Sequence, residues 1–123
     1  MKQLEVLCVD DEEMVRNVTV MVLESFFSGI KIDEGKSGKE LLERARKKQY
    51  DLIISDNNMP ELNGIDALEI LRKEGYRTPA ILISGLYDEQ LYKRAQENHI
   101  YSMQKPYGFP ELRKVIDEAI KGS

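Results

Sequence analysis

Five short apolar runs alternate along the chain with longer amphipathic stretches, and this alternation constrains the fold more than any other feature. The runs are LEVLCV at 4–9, IKI at 30–32, LIIS at 52–55, AILIS at 80–84 and YSMQ at 101–104. Between and after them, apolar residues recur at steps of three and four, the spacing of one face of a helix. Five strands that are each followed by a helix predict an α/β domain with a parallel sheet and helices on both faces.

The helical periodicity also predicts which side chains face the core. The fourth helix, at about 88–97, is the weakest, since only Leu91, Tyr92 and Ala95 are available for burial. In the first helix, the positions expected to be buried are Val15, Val18, Val22 and Phe26.

The residues that end the predicted strands are the candidate functional residues, because ligands of open parallel sheets bind outside the carboxyl ends of the strands. The second run ends in Asp33–Glu34, which is weakly informative because turns accept acids freely. The other four runs end in residues that can carry chemistry: Asp10 and Asp11, Asp56, Ser84, and Lys105.

This set of side chains is suited to phosphoryl transfer. Three carboxylates at one edge repel one another unless a cation compensates them, and Mg²⁺ prefers carboxylate, water and phosphate oxygens. Lys105 can pair with Asp56 and then with a transferred phosphoryl group, while Ser84 offers a hydroxyl donor. A carboxylate can itself act as the nucleophile and form an acyl phosphate. The pattern therefore predicts that Asp56 is phosphorylated.

The motifs VDDEEMVR (9–16), DLIISDNNMPELNG (51–64), AILISG (80–85) and QKPYGFPEL (104–112) occur in this order over essentially the whole chain. In order and spacing they resemble the receiver domain of two-component response regulators of the chemotaxis-regulator-like kind. The resemblance implies a flavodoxin-like, doubly wound sheet with strand order 2-1-3-4-5. It also implies one receiver domain over residues 1–123.

The same resemblance implies a role for each site residue. Asp56 is then the phosphoacceptor, Ser84 and Lys105 contact the phosphoryl oxygens, and the Lys105–Pro106 bond is cis. The implied cofactor is Mg²⁺ or Mn²⁺, and its implied ligands are Asp11, Asp56, the backbone carbonyl of Asn58 and, through water, Asp10.

One position departs from the family pattern. Receivers usually carry Tyr or Phe three residues before the lysine, whereas this chain has Ser102 there and Tyr101 one residue earlier. Because side chains alternate across a strand, Tyr101 is expected to point to the opposite face.

The implied partners are a histidine kinase or phosphotransfer protein that donates the phosphoryl group, and an effector domain or output protein that binds around helices 4 and 5. No enzymatic activity is expected beyond self-phosphorylation and autodephosphorylation of Asp56. Two alternatives stay open: an aspartate-nucleophile, Mg²⁺-dependent phosphohydrolase, and an interaction module that works without phosphorylation. The hydrolases resemble D-x-D after the first strand, whereas here the two acids are adjacent.

Composition and hydropathy limit the partners and the cellular compartment that are expected for the protein. The net charge of -4 argues against direct nucleic-acid binding. No apolar run approaches the roughly 20 residues that span a bilayer, and the start of the chain does not resemble a signal peptide. The single cysteine, Cys8, lies in an apolar run and is expected to be buried in a reducing compartment. These observations predict a cytoplasmic protein without membrane contact.

Overall fold

The computed structural model describes residues 3–122, which form five parallel strands and five helices in strict alternation. The strands are β1 (Glu5–Val9), β2 (Lys31–Gly35), β3 (Leu52–Asp56), β4 (Ala80–Ser84) and β5 (Tyr101–Gln104). The helices are α1 (Glu13–Phe26), α2 (Gly38–Lys47), α3 (Gly64–Lys73), α4 (Glu89–Glu97) and α5 (Phe109–Lys121). Among the described residues, no helix is long and apolar enough to cross a membrane.

The strand order is β2-β1-β3-β4-β5, and every neighbouring pair is parallel. The order in which the chain adds strands therefore switches between β1 and β3: β2 lies on one side of β1, and β3, β4 and β5 follow on the other. Because of this switch, the connecting helices cover both faces of the sheet. The predicted flavodoxin-like fold is thus confirmed. The central strand β3 is buried at all five positions, as expected for a strand covered on both sides.

Two apolar clusters fill the space between the sheet and the helices. One lies under α2, α3 and α4, and the other lies under α1 and α5. Successive residues of β3 alternate between them: Ile53 belongs to the first cluster, and Leu52 and Ile54 belong to the second. Cys8 is buried, as predicted.

Strand β2 is longer than the apolar run at 30–32 that predicts it. The strand does not stop at Ile32 but continues through Asp33 and Glu34 to Gly35, because Cys8 pairs with Glu34 and Val9 pairs with Gly35. Strand β2 is an edge strand, so one flank is open to solvent and its sequence carries polar residues. Apolar periodicity therefore underestimates its length.

The predicted buried face of α1 is wrong at one position. Val22 is buried and Val15 and Phe26 are half-buried, but Val18 is exposed. The buried residues of α1 are Thr19, Val22 and Leu23, so the face that packs on the core runs through Thr19 and leaves Val18 outside it.

Helix α4 is also less buried than its pattern predicts. Ala95 is the only fully buried residue of the helix, Leu91 is half-buried, and Tyr92 is exposed. Ion pairs replace the missing apolar contacts: the Arg94 guanidinium lies 2.7 Å from the Asp66 carboxylate and 2.6 Å from that of Glu69, both on α3. Polar contacts to α3 therefore hold α4, and they leave the ring of Tyr92 free on the outer surface.

Candidate functional site

Three carboxyl groups meet at the carboxyl edge of the sheet. Asp10 and Asp11 follow β1, and Asp56 ends the neighbouring strand β3. One carboxylate oxygen from each of the three lies within 4.8 Å of the others. Asp10 and Asp56 are buried, whereas Asp11 is exposed. The edge therefore presents a compact acidic cluster with one open side.

Lys105 provides the positive charge of this edge. Its Nζ atom lies 3.1 Å from Oδ1 of Asp56, and the Asp56 side chain is only 10% exposed. Lys105 follows β5, and its backbone N–H donates to the Ser84 carbonyl at 2.8 Å, which ties the end of β5 to the end of β4. The ammonium group is thereby placed across the edge from the acids.

Burial and repulsion act together on the acids. Burial raises the pKa of Asp56, and the neighbouring Asp11 charge raises it further, although the hydrogen bond from Lys105 opposes both. Burial likewise raises the pKa of Asp10 against a hydrogen bond from the Glu12 amide. For Lys105, burial lowers the pKa, but the hydrogen bond to Asp56 and the surrounding acids together outweigh it, so the net shift is upward. The site favours an added cation.

The donor set fits Mg²⁺. Every side-chain atom of the cluster that could bind a metal is a carboxylate oxygen, and Mg²⁺ is typically held by one or two carboxylates and several waters. The open side at Asp11 leaves space for water and for an incoming phosphate. The raised pKa values of Asp10 and Asp56 show that their negative charges are unfavourable at this edge, and a divalent cation would compensate those charges.

The remaining predicted residues lie at or beside this edge. Ser84 ends β4, and its hydroxyl makes a long hydrogen bond of 3.4 Å to the Leu86 carbonyl; among residues 3–122 it makes none to Asp56. Asn58 is exposed in the turn after β3. The Lys105–Pro106 peptide bond is cis, as predicted. The roles of Ser84 and of the Asn58 carbonyl stay predictions.

Sequence reasoning missed Asn57, the residue after Asp56. Asn57 is buried, and its Oδ1 accepts a hydrogen bond of 3.0 Å from the Ile65 amide in the first turn of α3. Its backbone N–H donates to Ile83 at 2.8 Å, and its carbonyl accepts from Gly64 at 2.9 Å. Asn57 therefore caps a helix that begins seven residues later and fixes the chain directly after Asp56. Because the partner is eight residues away, no capping pattern in the sequence reveals it.

We predict that Asn57→Ala lowers the free energy of unfolding by about 1–2 kcal/mol, since it removes the cap of α3 and leaves a buried N–H without its partner. Urea denaturation followed by circular dichroism measures the change. The matched control is Asn58→Ala, because the Asn58 side chain is exposed and should alter stability by no more than about 0.5 kcal/mol. Equal effects of the two substitutions would show that Asn57 does not cap α3.

Arg16 was also missed as a positioning residue. Its guanidinium donates to the backbone carbonyl of Asp10 at 2.7 Å and pairs with Glu34 of β2 at 2.7 Å. The arginine therefore holds the loop that carries the acid pair against the edge strand. It lies in α1, and nothing in the local sequence indicates that its partners are Asp10 and Glu34.

The departure from the family pattern, at the start of β5, has the predicted geometry. Tyr101 shares a face with Met103, which is buried in the cluster under α1 and α5, and its hydroxyl lies 3.3 Å from the Glu118 carbonyl of α5. Ser102 points to the other face. The aromatic ring is thus tied to α5, and a small hydroxyl side chain occupies the position that Tyr or Phe usually fills in receivers.

Comparison with known proteins gives a consistent match. The family model of the response regulator receiver domain matches residues 6–117. A protein-glutamate methylesterase/protein-glutamine glutaminase of Archaeoglobus fulgidus is 38% identical over 87 residues, which cover 70% of this chain and 24% of that protein. The two-component response regulator ORR41 of Oryza sativa subsp. japonica is 34% identical over 86 residues, 68% of each chain.

Solved structures agree with the sequence match. The receiver domain of the Francisella response regulator 1452 superposes with a TM-score of 0.83 at 29% identity and covers 97% of this chain and 98% of that one. A CheY-like receiver domain protein from Methanospirillum hungatei superposes with a TM-score of 0.89 at 20% identity, over 98% and 96% of the two chains. The chain spans about a quarter of the length of the methylesterases that it matches.

Proposed function

The chain belongs to the response regulator receiver domain family, and from this premise we propose that it accepts a phosphoryl group on Asp56 from a histidine kinase or a phosphotransfer protein. The observation that carries the proposal is the placement of Asp56: its carboxylate is 3.1 Å from Lys105 Nζ and lies in one cluster with Asp10 and Asp11. Such a site suits phosphoryl transfer to a carboxylate, because catalysis of that reaction depends mainly on positioning and on neutralisation of charge.

The proposed transfer uses the chain's own groups in the following way. An oxygen of Asp56 attacks the phosphorus of a phosphohistidine, so that a P–O bond forms while the P–N bond breaks and the departing imidazole takes up a proton from water. As negative charge accumulates on a phosphoryl oxygen, the Lys105 ammonium group exchanges its contact with the Asp56 carboxylate for a contact with that oxygen. Ser84 donates its hydroxyl to a second phosphoryl oxygen. Burial of Asp56 limits access of other nucleophiles to the acyl phosphate.

The proposed metal ligands are Asp11, Asp56 and the carbonyl of Asn58, with Asp10 acting through water. Mg²⁺ or Mn²⁺ held by these ligands would supply positive charge that offsets the charge of the phosphoryl oxygens. Asp10 is kept in place by the hydrogen bond from the Glu12 amide at 2.9 Å and by Arg16 on its carbonyl.

The proposed output surface is the outer face of α4, β5 and α5, and the added charge at Asp56 biases this face between two states. Beyond the phosphorylation and dephosphorylation of its own aspartate, we propose no catalysed reaction for this chain. We further propose that residues 1–123 make up one receiver domain. The cytoplasmic location stays a prediction from the sequence.

Incubation of the protein with Mg²⁺ and acetyl phosphate tests the proposal. Intact-mass analysis should show one added phosphoryl group, and proteolysis should locate it on the peptide that contains Asp56. Omission of Mg²⁺ should abolish the product. A chain that never gains the group would instead be a phosphorylation-independent interaction module, and sustained turnover of a specific phosphate ester would identify a phosphohydrolase.

A further inference from the structure

A polar pocket lies at the amino ends of β3 and β4, on the edge of the sheet opposite the one that carries Asp56. Two stretches of chain line this amino-edge pocket: residues 45–51, which end α2 and lead into β3, and residues 75–79, which join α3 to β4. Its volume is about 620 Å³, within the range of pockets that hold small organic ligands. The proposed phosphorylation of Asp56 uses none of its residues.

Basic side chains dominate the charge of the amino-edge pocket. Its lining includes four bases, Arg46, Lys47, Lys48 and Arg77. Asp51 is the only carboxylate among the described residues that line it, although acids outnumber bases in the whole chain by 22 to 18. The Asp51 carboxylate accepts a hydrogen bond of 2.8 Å from the Glu5 amide, so the chain itself engages this acid. The pocket is thus a cationic depression on an acidic protein.

Two of the four bases are neutralised by acids outside the lining. The Arg46 guanidinium donates to the Glu74 carboxylate at 2.9 Å. The Lys48 ammonium lies 3.2 Å from the Asp33 carboxylate and 3.3 Å from that of Glu5. These pairs tie the end of α2 to the end of α3 and to β1 and β2. The charge that is left for a ligand therefore belongs to the other two bases.

Lys47 and Arg77 carry this unneutralised charge. Both are exposed, and within residues 3–122 neither has a carboxylate within ion-pair distance. Nη1 of Arg77 makes only long contacts of 3.3 and 3.4 Å with the carbonyls of Arg72 and Tyr76. Burial lowers the pKa of Arg72, and the nearby charge of Arg77 lowers it further. The fork of Arg77 is therefore open to an anion.

Each stretch of the lining also offers a neutral donor. The Gln49 side chain is exposed and the Thr78 hydroxyl is half-buried, and neither makes a hydrogen bond to any group in the described part of the chain. Basic side chains are favourable at the carboxyl end of a helix, which accounts for Lys47 on α2. It does not account for Arg77, which lies in the connection between α3 and β4. The open donors thus converge from two separate parts of the chain.

We propose that the amino-edge pocket binds a small organic molecule that carries a diphosphate group, such as a nucleoside diphosphate, with one phosphate on Arg77 and the other on Lys47. Two cations from separate stretches suit two linked phosphates, since a guanidinium binds phosphate oxygens bidentately and an ammonium acts as a point charge. Gln49 and Thr78 can donate to the remaining oxygens. The pocket is larger than a diphosphate alone, so the organic part of the ligand occupies the rest of it.

The test is an NMR titration of the ¹⁵N-labelled full chain with ADP in EDTA, with AMP and adenosine as comparison ligands. The amides of residues 45–51 and 75–78 should shift with ADP, shift less with AMP and stay in place with adenosine. Arg77→Gln and Lys47→Gln should each weaken ADP binding about tenfold, which corresponds to about 1.4 kcal/mol. Lys39→Gln is the matched control, because Lys39 is exposed in the first turn of α2 and does not line the pocket, so binding should stay within about twofold.

The absence of a saturable shift with ADP would overturn the proposal, and so would equally tight binding of adenosine, since the phosphates would then not be recognised. Shifts confined to the edge around Asp56, or equal losses in Arg77→Gln and Lys39→Gln, would also overturn it. Sedimentation with vesicles that contain phosphatidylinositol bisphosphate distinguishes a lipid headgroup from a free diphosphate: binding to vesicles that ADP does not displace would contradict the proposal. The titration contains no metal and no phosphodonor, so its outcome is independent of whether Asp56 is phosphorylated.

Discussion

Asp56→Asn is expected to be inert toward a small phosphodonor and, without divalent cations, more stable than the parent chain. The first effect is a complete loss, because the neutral amide of asparagine is a far weaker nucleophile than the carboxylate of aspartate. The second effect follows from the folded state, in which burial and Asp11 act against the charge of Asp56. The charged side chain of Asp56 is thus expected to lower the free energy of unfolding, in exchange for its proposed function.

The pH dependence of that stability has a definite sign. The pKa of Asp56 is raised above its ordinary value of 3.8, so the folded chain binds the proton more tightly than the unfolded chain. The protonated Asp56 stabilises the folded chain relative to the ionised form, and this stabilisation is lost as the pH rises from the ordinary pKa through the raised one. At neutral pH, the ionised Asp56 therefore destabilises the folded chain to its full extent. The advantage of Asp56→Asn should therefore be largest near pH 7 and vanish below about pH 4.

Denaturation in EDTA at several pH values measures the difference, and intact mass after treatment with acetyl phosphate measures the adduct. Added Mg²⁺ should stabilise the parent chain more than the variant, since binding to the folded state alone raises its stability. The matched control is Asp117→Asn, an exposed acid of α5 that should keep the adduct and change stability little. An adduct that persists in Asp56→Asn would assign the phosphoacceptor to another residue.

Gly64→Ala is expected to damage both the fold and the site. A Cβ atom at Gly64 would lie 2.5 Å from the carbonyl oxygen of Asp56, 3.0 Å from Leu82 and 3.1 Å from the Ser55 hydroxyl. The closest of these atoms is backbone, so α3 must move away from β3 or the end of β3 must shift. Such overpacking costs about 1–3 kcal/mol. Because the displaced carbonyl belongs to Asp56, phosphorylation should also slow.

The matched control for this substitution is Gly85→Ala, since a Cβ atom at Gly85 meets nothing within 4 Å. Urea denaturation should show a change of no more than about 0.5 kcal/mol for the control and the larger loss for Gly64→Ala. The rate of adduct formation is then compared at equal folded fraction. If Gly64→Ala were as stable as the control, the close packing of α3 against Asp56 would not be a constraint.

Much of the fold is readable from the sequence because the information is local. Apolar runs such as AILIS at 80–84 coincide with the observed β4, and the order of strands and helices follows from periodicity alone. The edge strand β2 is the exception: its last residues pair with Cys8 and Val9, and this pairing depends on a neighbour that lies far away along the chain. The strand-end residues could be selected from the sequence because parallel strands deliver their carboxyl ends to one edge.

The sequence by itself therefore determined the architecture and the set of side chains that meet around Asp56. Only the tertiary structure decided how that set is held. Asn57 caps α3 across eight residues, and Arg16 braces Asp10 from the next helix. A groove that Ser102 of β5 helps to line likewise brings together Arg77, α4 and α5, which are distant in sequence. The physical reason is the range of the interactions: periodicity is a property of neighbours, whereas these contacts form only when separate elements pack.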